Sequence, residues 1–101
     1  MVDVGYPSKS WAIKWLRGSL ISFLRGNIDK KILLGRMRKC YEEYSLSIAD
    51  IEALIESLVV DPSLDFISPE TRHRLLNELM EEFKSRVQFH SHRKRNPSSG
   101  A

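Results

Sequence analysis

Apolar residues recur at three- and four-residue spacing in four stretches of this chain, and each stretch is bounded by residues that begin or end helices. The first stretch runs from Ser10, a candidate N-cap, to Arg25. It stops at Gly26-Asn27, because these two residues tolerate the left-handed conformation in which many helices end. A second helix is predicted after Asp29, whose carboxylate can cap it.

The second half of the chain predicts two further helices. Ser47 can accept the backbone N–H near Asp50 at the start of the third helix. Asp61-Pro62-Ser63 ends that helix, because proline lacks an amide donor. Ser68-Pro69-Glu70 then supplies a cap, a proline at the first helical position and an acid in the first turn. With short connections, the pattern predicts an all-α fold, a compact antiparallel four-helix bundle.

The length of 101 residues, 42% of them hydrophobic, predicts one domain with a single core. We assign residues 1–9 to an N-terminal arm, 10–88 to the helical domain and 89–101 to a flexible basic tail, disordered because its polar composition lacks periodicity. No apolar run approaches the ~18 residues of a membrane span, and no signal-peptide pattern opens the sequence. A cytoplasmic location is expected, or a nuclear one in a eukaryotic or viral setting.

Charged residues are distributed in three blocks. Residues 1–41 contain nine Lys and Arg against two acids, residues 42–84 contain eleven acids against three Lys and Arg, and residues 85–101 contain four Lys and Arg and no acid. If the blocks fold as helices, one small body presents a basic and an acidic surface, and each can select a partner of opposite sign. Pairing of the two surfaces in a homodimer is a third arrangement.

The acidic surface is the first candidate site, and a basic protein is its expected partner. It comprises carboxylates of the third and fourth helices and of the loop between them: Glu52, Glu56, Asp61, Asp65, Glu78, Glu81 and Glu82. Their spacing places them toward solvent, with no glycine-rich loop, cleft or partner nucleophile implied. The sequence therefore predicts a binding protein rather than an enzyme.

The basic surface is the alternative site, with nucleic acid as its partner. Its cations on the first two helices are Lys14, Arg17, Arg25, Lys31, Arg36, Arg38 and Lys39. They could follow a phosphate backbone, but the second helix offers no Asn or Gln suited to reading bases in a groove. Sequence-specific recognition of a DNA duplex is therefore not indicated.

Two tryptophans stand one turn apart on the first helix. Trp11 and Trp15 fall partly outside the main apolar stripe, and we expect Trp15 rather than Trp11 to cover the core. Basic residues with Trp, Leu and Phe also suit a membrane surface, but the other three helices need this apolar face, so a membrane partner is not expected. His90, His92 and Cys40 lack the paired spacing of a zinc site, and no metal or cofactor is predicted.

An ordered set of segments resembles one known family. The segments are Phe23-Leu24-Arg25-Gly26-Asn27-Ile28 before a helix containing Leu33, then Ile51-Glu52-Ala53-Leu54-Ile55, Val60-Asp61-Pro62, and Leu75 to Phe83. Across residues 19–84 this pattern resembles the small helical immunity proteins of the colicin D type. The resemblance implies that the acidic surface mimics phosphates in the cleft of a toxin ribonuclease. The basic first half departs from what such an inhibitor presents.

Overall fold

Four helices make up the part of the chain that the structure describes. This computed structural model places the backbone of residues 8–95 and the side chains of residues 8–87. The helices are α1 (Lys9–Leu24), α2 (Lys30–Glu43), α3 (Ile48–Val59) and α4 (Pro69–Arg95). No strand occurs between residues 8 and 95, so the all-α prediction is confirmed.

Side-chain caps form where the sequence predicted them for α2 and α3. Asp29 Oδ1 accepts the N–H of Ile32 at 3.0 Å. Ser47 Oγ accepts the N–H of Asp50 at 3.0 Å, while Asp50 Oδ2 accepts the N–H of Ser47 at 2.9 Å. This reciprocal pair is a capping box, which satisfies two backbone donors that a helix start leaves free.

The end of α1 is fixed by a glycine in the left-handed region. Gly26 has φ of 83°, and its N–H donates to the Phe23 carbonyl at 3.0 Å. The N–H of Asn27 reaches back to the Ser22 carbonyl at 2.8 Å. These two bonds form a Schellman motif, whose backbone conformation a side chain at position 26 would strain.

Two predicted boundaries need correction. The N-cap of α1 is Ser8 rather than Ser10, because Ser8 Oγ accepts the N–H of Trp11 at 3.0 Å and so adds half a turn to the helix. The helix α4 continues to Arg95, although the tail was predicted to begin at residue 89. No glycine or proline occurs between Pro69 and Pro97, so nothing in that sequence ends the helix earlier. Residues 1–7 of the predicted arm and 96–101 of the predicted tail lie outside the described residues.

Side-chain contacts connect each pair of consecutive helices α1–α2 and α3–α4. On α1 and α2, Arg36 bonds to Ser19, while the ring of Tyr44 contacts that of Trp11. On α3 and α4, Arg72 bonds to the Val59 carbonyl and Lys84 pairs with Glu52. The start of α1 therefore lies near the end of α2, and the end of α3 lies near the start of α4.

The helix α2 also packs across α4. Lys30 at its start pairs with Glu82 at 2.9 Å, and Tyr41 near its end packs edge-to-face on Phe83 with ring centroids 6.0 Å apart. Because neighbouring residues of α4 receive both ends of α2, α2 crosses α4 rather than running along it. Between the helices lies one core, whose largest fully buried side chains are Phe83, Leu16, Leu20, Leu33, Met37, Leu46, Ile51, Leu58, Leu76, Leu79 and Cys40.

Among the described residues, no helix combines the length and apolar character needed to cross a bilayer.

Candidate binding surface

Salt bridges connect the basic and acidic blocks of the sequence within the fold. Three of them join the start of α1, the middle of α1 and the start of α2 to the acidic half of the chain: Lys9 to Asp50 at 3.1 Å, Arg17 to Asp61 at 2.8 Å and Lys30 to Glu82 at 2.9 Å. Opposite charges far apart in sequence thus neutralise each other inside one molecule. Part of each predicted surface is used in this way.

Hydrogen bonds hold the carboxylates of these pairs in the ionised form. The pKa of Asp61 is lowered by hydrogen bonds from the Ser63 hydroxyl and amide and then by the charge of Arg17. The pKa of Glu82 is lowered by hydrogen bonds from Lys30 and Arg86. Bonds to the charged form of an acid stabilise that form. These two carboxylates are therefore ionised near neutral pH, and each is paired with a cation of α1 or α2.

The acidic set divides into engaged and unengaged members. Glu52 pairs with Lys84 at 2.7 Å and raises the pKa of that lysine, as Glu81 does more weakly. With Asp61 and Glu82, three of the predicted site residues are committed to contacts between structural elements. Four exposed members form no salt bridge among the described side chains, namely Glu56, Asp65, Glu78 and Glu81.

Three predicted cations of α2 are held only by local pairs or by none. Arg38 pairs with Glu42 at 3.0 Å and Lys39 with Glu43 at 3.6 Å, each within the helix and between exposed side chains. Such pairs contribute little and open readily. Lys31 forms no salt bridge among the described side chains. These cations therefore remain available to a partner.

The remaining predicted cations lie on α1 and at its end. Arg17 points toward Asp61 and belongs to the contact with the α3–α4 loop. Arg25 lies 4.5 Å from the ring centroid of Phe66, a cation–π contact in another part of the surface. Lys14 is exposed and forms no salt bridge within residues 8–87. Of the three, Lys14 is the one free to bind.

An aromatic cluster lies where α1 begins and α2 ends. The rings of Trp11 and Trp15 stack with centroids 5.6 Å apart and planes inclined by 16°. Tyr44 meets both rings edge-on, at 5.8 Å from Trp11 and 6.2 Å from Trp15. Trp15 packs partly buried against the core, whereas Trp11 stays 45% exposed, as expected for the two positions.

Arg36 is fixed beside this cluster. Its Nη1 donates to Ser19 Oγ at 2.9 Å, and the Ser19 hydroxyl donates to the Trp15 carbonyl at 3.0 Å. Its guanidinium carbon lies 5.6 Å from the Trp15 ring centroid. One of its five donor groups is therefore used for positioning, and the others remain for an anion.

Helical geometry gathers several of these side chains on one face. Positions three or four apart on a helix are neighbours, so Lys14 lies beside Trp11 and Lys39 lies beside Arg36. Lys31 and Arg38 share the side of α2 turned about 140° to 160° from Arg36 and away from α1, at 100° of rotation per residue. We define the α1–α2 surface as Trp11, Lys14, Trp15, Arg36, Lys39 and Tyr44.

The sequence did not reveal two members of this arrangement. Ser19 was unremarked, although it follows Trp15 by four residues and is buried, at 3% exposed. Tyr44 lies half-buried in the C-cap position of α2 and packs against the core. The available signal was four-residue spacing in two series that face each other. One series is Trp11, Trp15 and Ser19 on α1, and the other is Arg36, Cys40 and Tyr44 on α2.

No metal site accompanies the surface. Among the described residues, no group of three or more His, Cys, Asp and Glu side chains could hold an ion. Cys40 is fully buried, and desolvation raises its pKa to about 11. Because the thiolate is the metal-binding and nucleophilic form, burial makes Cys40 unsuited to either role. The side chains of His90 and His92 lie outside the described residues.

Comparisons of the chain with protein-family models, with curated proteins and with solved structures find no match.

Proposed function

We propose that this chain is a non-enzymatic protein, built of two antiparallel helix pairs, α1–α2 and α3–α4, that binds nucleic acid through the α1–α2 surface. The observation that carries the proposal is the exposed stack of Trp11 on Trp15, beside cations that the fold does not consume. Phosphates bind lysine and arginine, and bases stack on aromatic rings. Both kinds of group lie together on this surface.

The charges favour this surface over the acidic one. Asp61 and Glu82 are bound to cations of α1 and α2, and hydrogen bonds lower their pKa values. A partner of the acidic surface would compete with these ion pairs between structural elements. On the α1–α2 surface, a partner that binds Lys39 would displace only its local pair with Glu43. Arg36 is already oriented by its hydrogen bond to Ser19.

Charge reversal of Lys14 and Lys39 is expected to weaken binding of labelled oligonucleotides at least tenfold. Losing two phosphate contacts should also reduce the slope of log K against log salt by about 1.5. Fluorescence anisotropy at several salt concentrations measures both quantities. The matched control reverses Lys31 and Arg38, which changes the net charge equally on the side of α2 away from α1. Equal losses in the two double variants would contradict a localised site.

An immunity-type inhibitor is the second candidate function. The exposed carboxylates Glu56, Asp65, Glu78 and Glu81 support it, because they form no salt bridge within the described side chains and are free to meet a basic protein. In this arrangement they would occupy the nucleic-acid cleft of a toxin nuclease. A cytoplasmic setting fits either candidate.

This second function predicts that the protein inhibits RNA cleavage by a colicin D-type nuclease domain at stoichiometric ratios. Reversal of Glu78 and Glu81 to lysine should abolish inhibition, because a cationic surface repels a basic cleft. The control reverses Lys14 and Lys39 to glutamate and should retain inhibition. Full cleavage in the presence of excess unmodified protein would exclude the candidate for that nuclease.

A further inference from the structure

We infer that the nucleic acid bound at the α1–α2 surface is single-stranded, with an unpaired base stacked on Trp11. This inference rests on the proposed function and names its substrate class. Trp11 is held at a fixed angle by its stack on Trp15 and by the edge of Tyr44. At 45% exposure it still offers ring surface to solvent. A partly exposed aromatic ring that other rings hold in place can serve as a platform for a planar ligand.

Base faces are accessible only when bases are unpaired. In a duplex each base is covered above and below by its neighbours, so a platform of this kind would require unstacking. In a single strand, successive bases can stack on protein aromatics with little dependence on sequence. The exposed indole therefore favours a single strand over a duplex.

The surroundings of the ring leave room for a strand. Gly18 follows Trp11 by two helical turns on the same side of α1, and a Cβ placed there would meet no atom within 4 Å. Glycine in the middle of a helix lowers stability more than any other residue except proline. No close contact inside the protein requires a glycine at this position. The surface of α1 beside Trp15 is therefore open to a bound strand.

Cations stand on both sides of the aromatic cluster. Lys14 lies one turn after Trp11 on α1, and the guanidinium of Arg36 lies over the Trp15 ring. Arg36 is held by Ser19 and is already placed for a phosphate oxygen. A base on Trp11 with flanking phosphates toward Lys14 and Arg36 uses both kinds of group on this surface. An acidic peptide would satisfy the cations but not the ring.

Tryptophan fluorescence provides a direct test, because the only two tryptophans of the chain lie in this surface. The unmodified protein is titrated with oligothymidylate, with a duplex of the same length, and with polyglutamate as a polyanion without bases. We expect oligothymidylate to quench the emission and to bind at least about tenfold more tightly than the duplex or polyglutamate. Equal affinities without quenching would overturn the inference.

Variants separate stacking from charge. Trp11→Ala should weaken oligothymidylate binding about tenfold, while Trp11→Phe should restore most of it because a ring is retained. Phe66→Ala, which removes another exposed aromatic residue at 43% exposure, is the control and should bind normally. Unchanged binding in Trp11→Ala, with loss in the Lys14 and Lys39 reversal, overturns stacking but leaves nucleic-acid binding intact. Absence of binding to every probe at low salt overturns both proposals.

Discussion

Replacing Arg72 by alanine is expected to lower the free energy of unfolding by about 3 kcal/mol, because several buried carbonyls would lose their donor. Arg72 is 4% exposed. Its Nε and Nη2 donate to the Val59 carbonyl at 3.0 and 2.8 Å, and Nη1 donates to the carbonyls of Leu64 and Ile67. For a chain of this size, such a loss lowers Tm by more than about 10 °C.

Thermal and urea unfolding followed by circular dichroism measure this effect. Arg74→Ala is the matched control, because Arg74 is exposed on the same helix and makes no hydrogen bond or salt bridge to the described side chains. Its cost should stay within about 0.5 kcal/mol. Arg72→Lys should fall between the two, since an ammonium cannot reproduce the planar fork. A cost below about 1 kcal/mol for Arg72→Ala would contradict the proposed anchoring.

Arg72 explains how a nine-residue connection stays ordered without secondary structure. The Val59 carbonyl is at the C-terminal end of α3, where the helix dipole attracts a cation. Leu64 and Ile67 lie in the loop itself, so one guanidinium ties the helix end, the loop and α4 together. The loop in turn carries Asp61, the partner of Arg17. Arg72 thus supports the loop that provides one of the contacts with α1.

Sequence patterns predicted caps and turns within the helices' own sequence, and missed the contacts between residues that lie far apart in the chain. Caps at Asp29 and Ser47 and the turn at Gly26 were predictable, because each needs only residues within five positions. Arg72 was not, since its acceptors are backbone carbonyls, which every residue type provides. The bond from Arg17 to Asp61 spans 44 residues, a separation at which periodicity carries no information.

The candidate site was predictable only in part for the same reason. The predicted basic surface included Lys14, Arg36 and Lys39. Charge alone could not show which of its seven cations would form contacts within the fold. Arg17 was equivalent to Lys14 in sequence, yet the fold directs it to Asp61. The rotation of each helix against its neighbours decides this outcome, and tertiary packing sets that rotation.

Acidification is expected to loosen the contacts between the two charge blocks. In the folded protein, the pKa values of Asp50 and Asp61 lie below their usual 3.8 and that of Glu82 below 4.5. For Asp50 the main cause is a backbone hydrogen bond from Ser47, followed by Lys9. A carboxyl whose pKa is lower when folded stabilises the fold fully above its unfolded pKa. That stabilisation is lost as the pH falls through the folded value.

We therefore expect Tm to decrease as the pH falls below about 4, with a smaller decrease in the triple variant Asp50→Asn, Asp61→Asn, Glu82→Gln. Neutral amides do not titrate, so the variant should be less stable near pH 7 and less sensitive to acid. Glu78→Gln, at a carboxylate without a salt bridge in the described residues, is the control and should follow the unmodified protein. The same acid sensitivity in the triple variant would assign acid unfolding to other carboxylates. A flatter profile would show that the acidic block stabilises α1 and α2 from one side, which leaves Lys14, Arg36 and Lys39 on the other side for a partner.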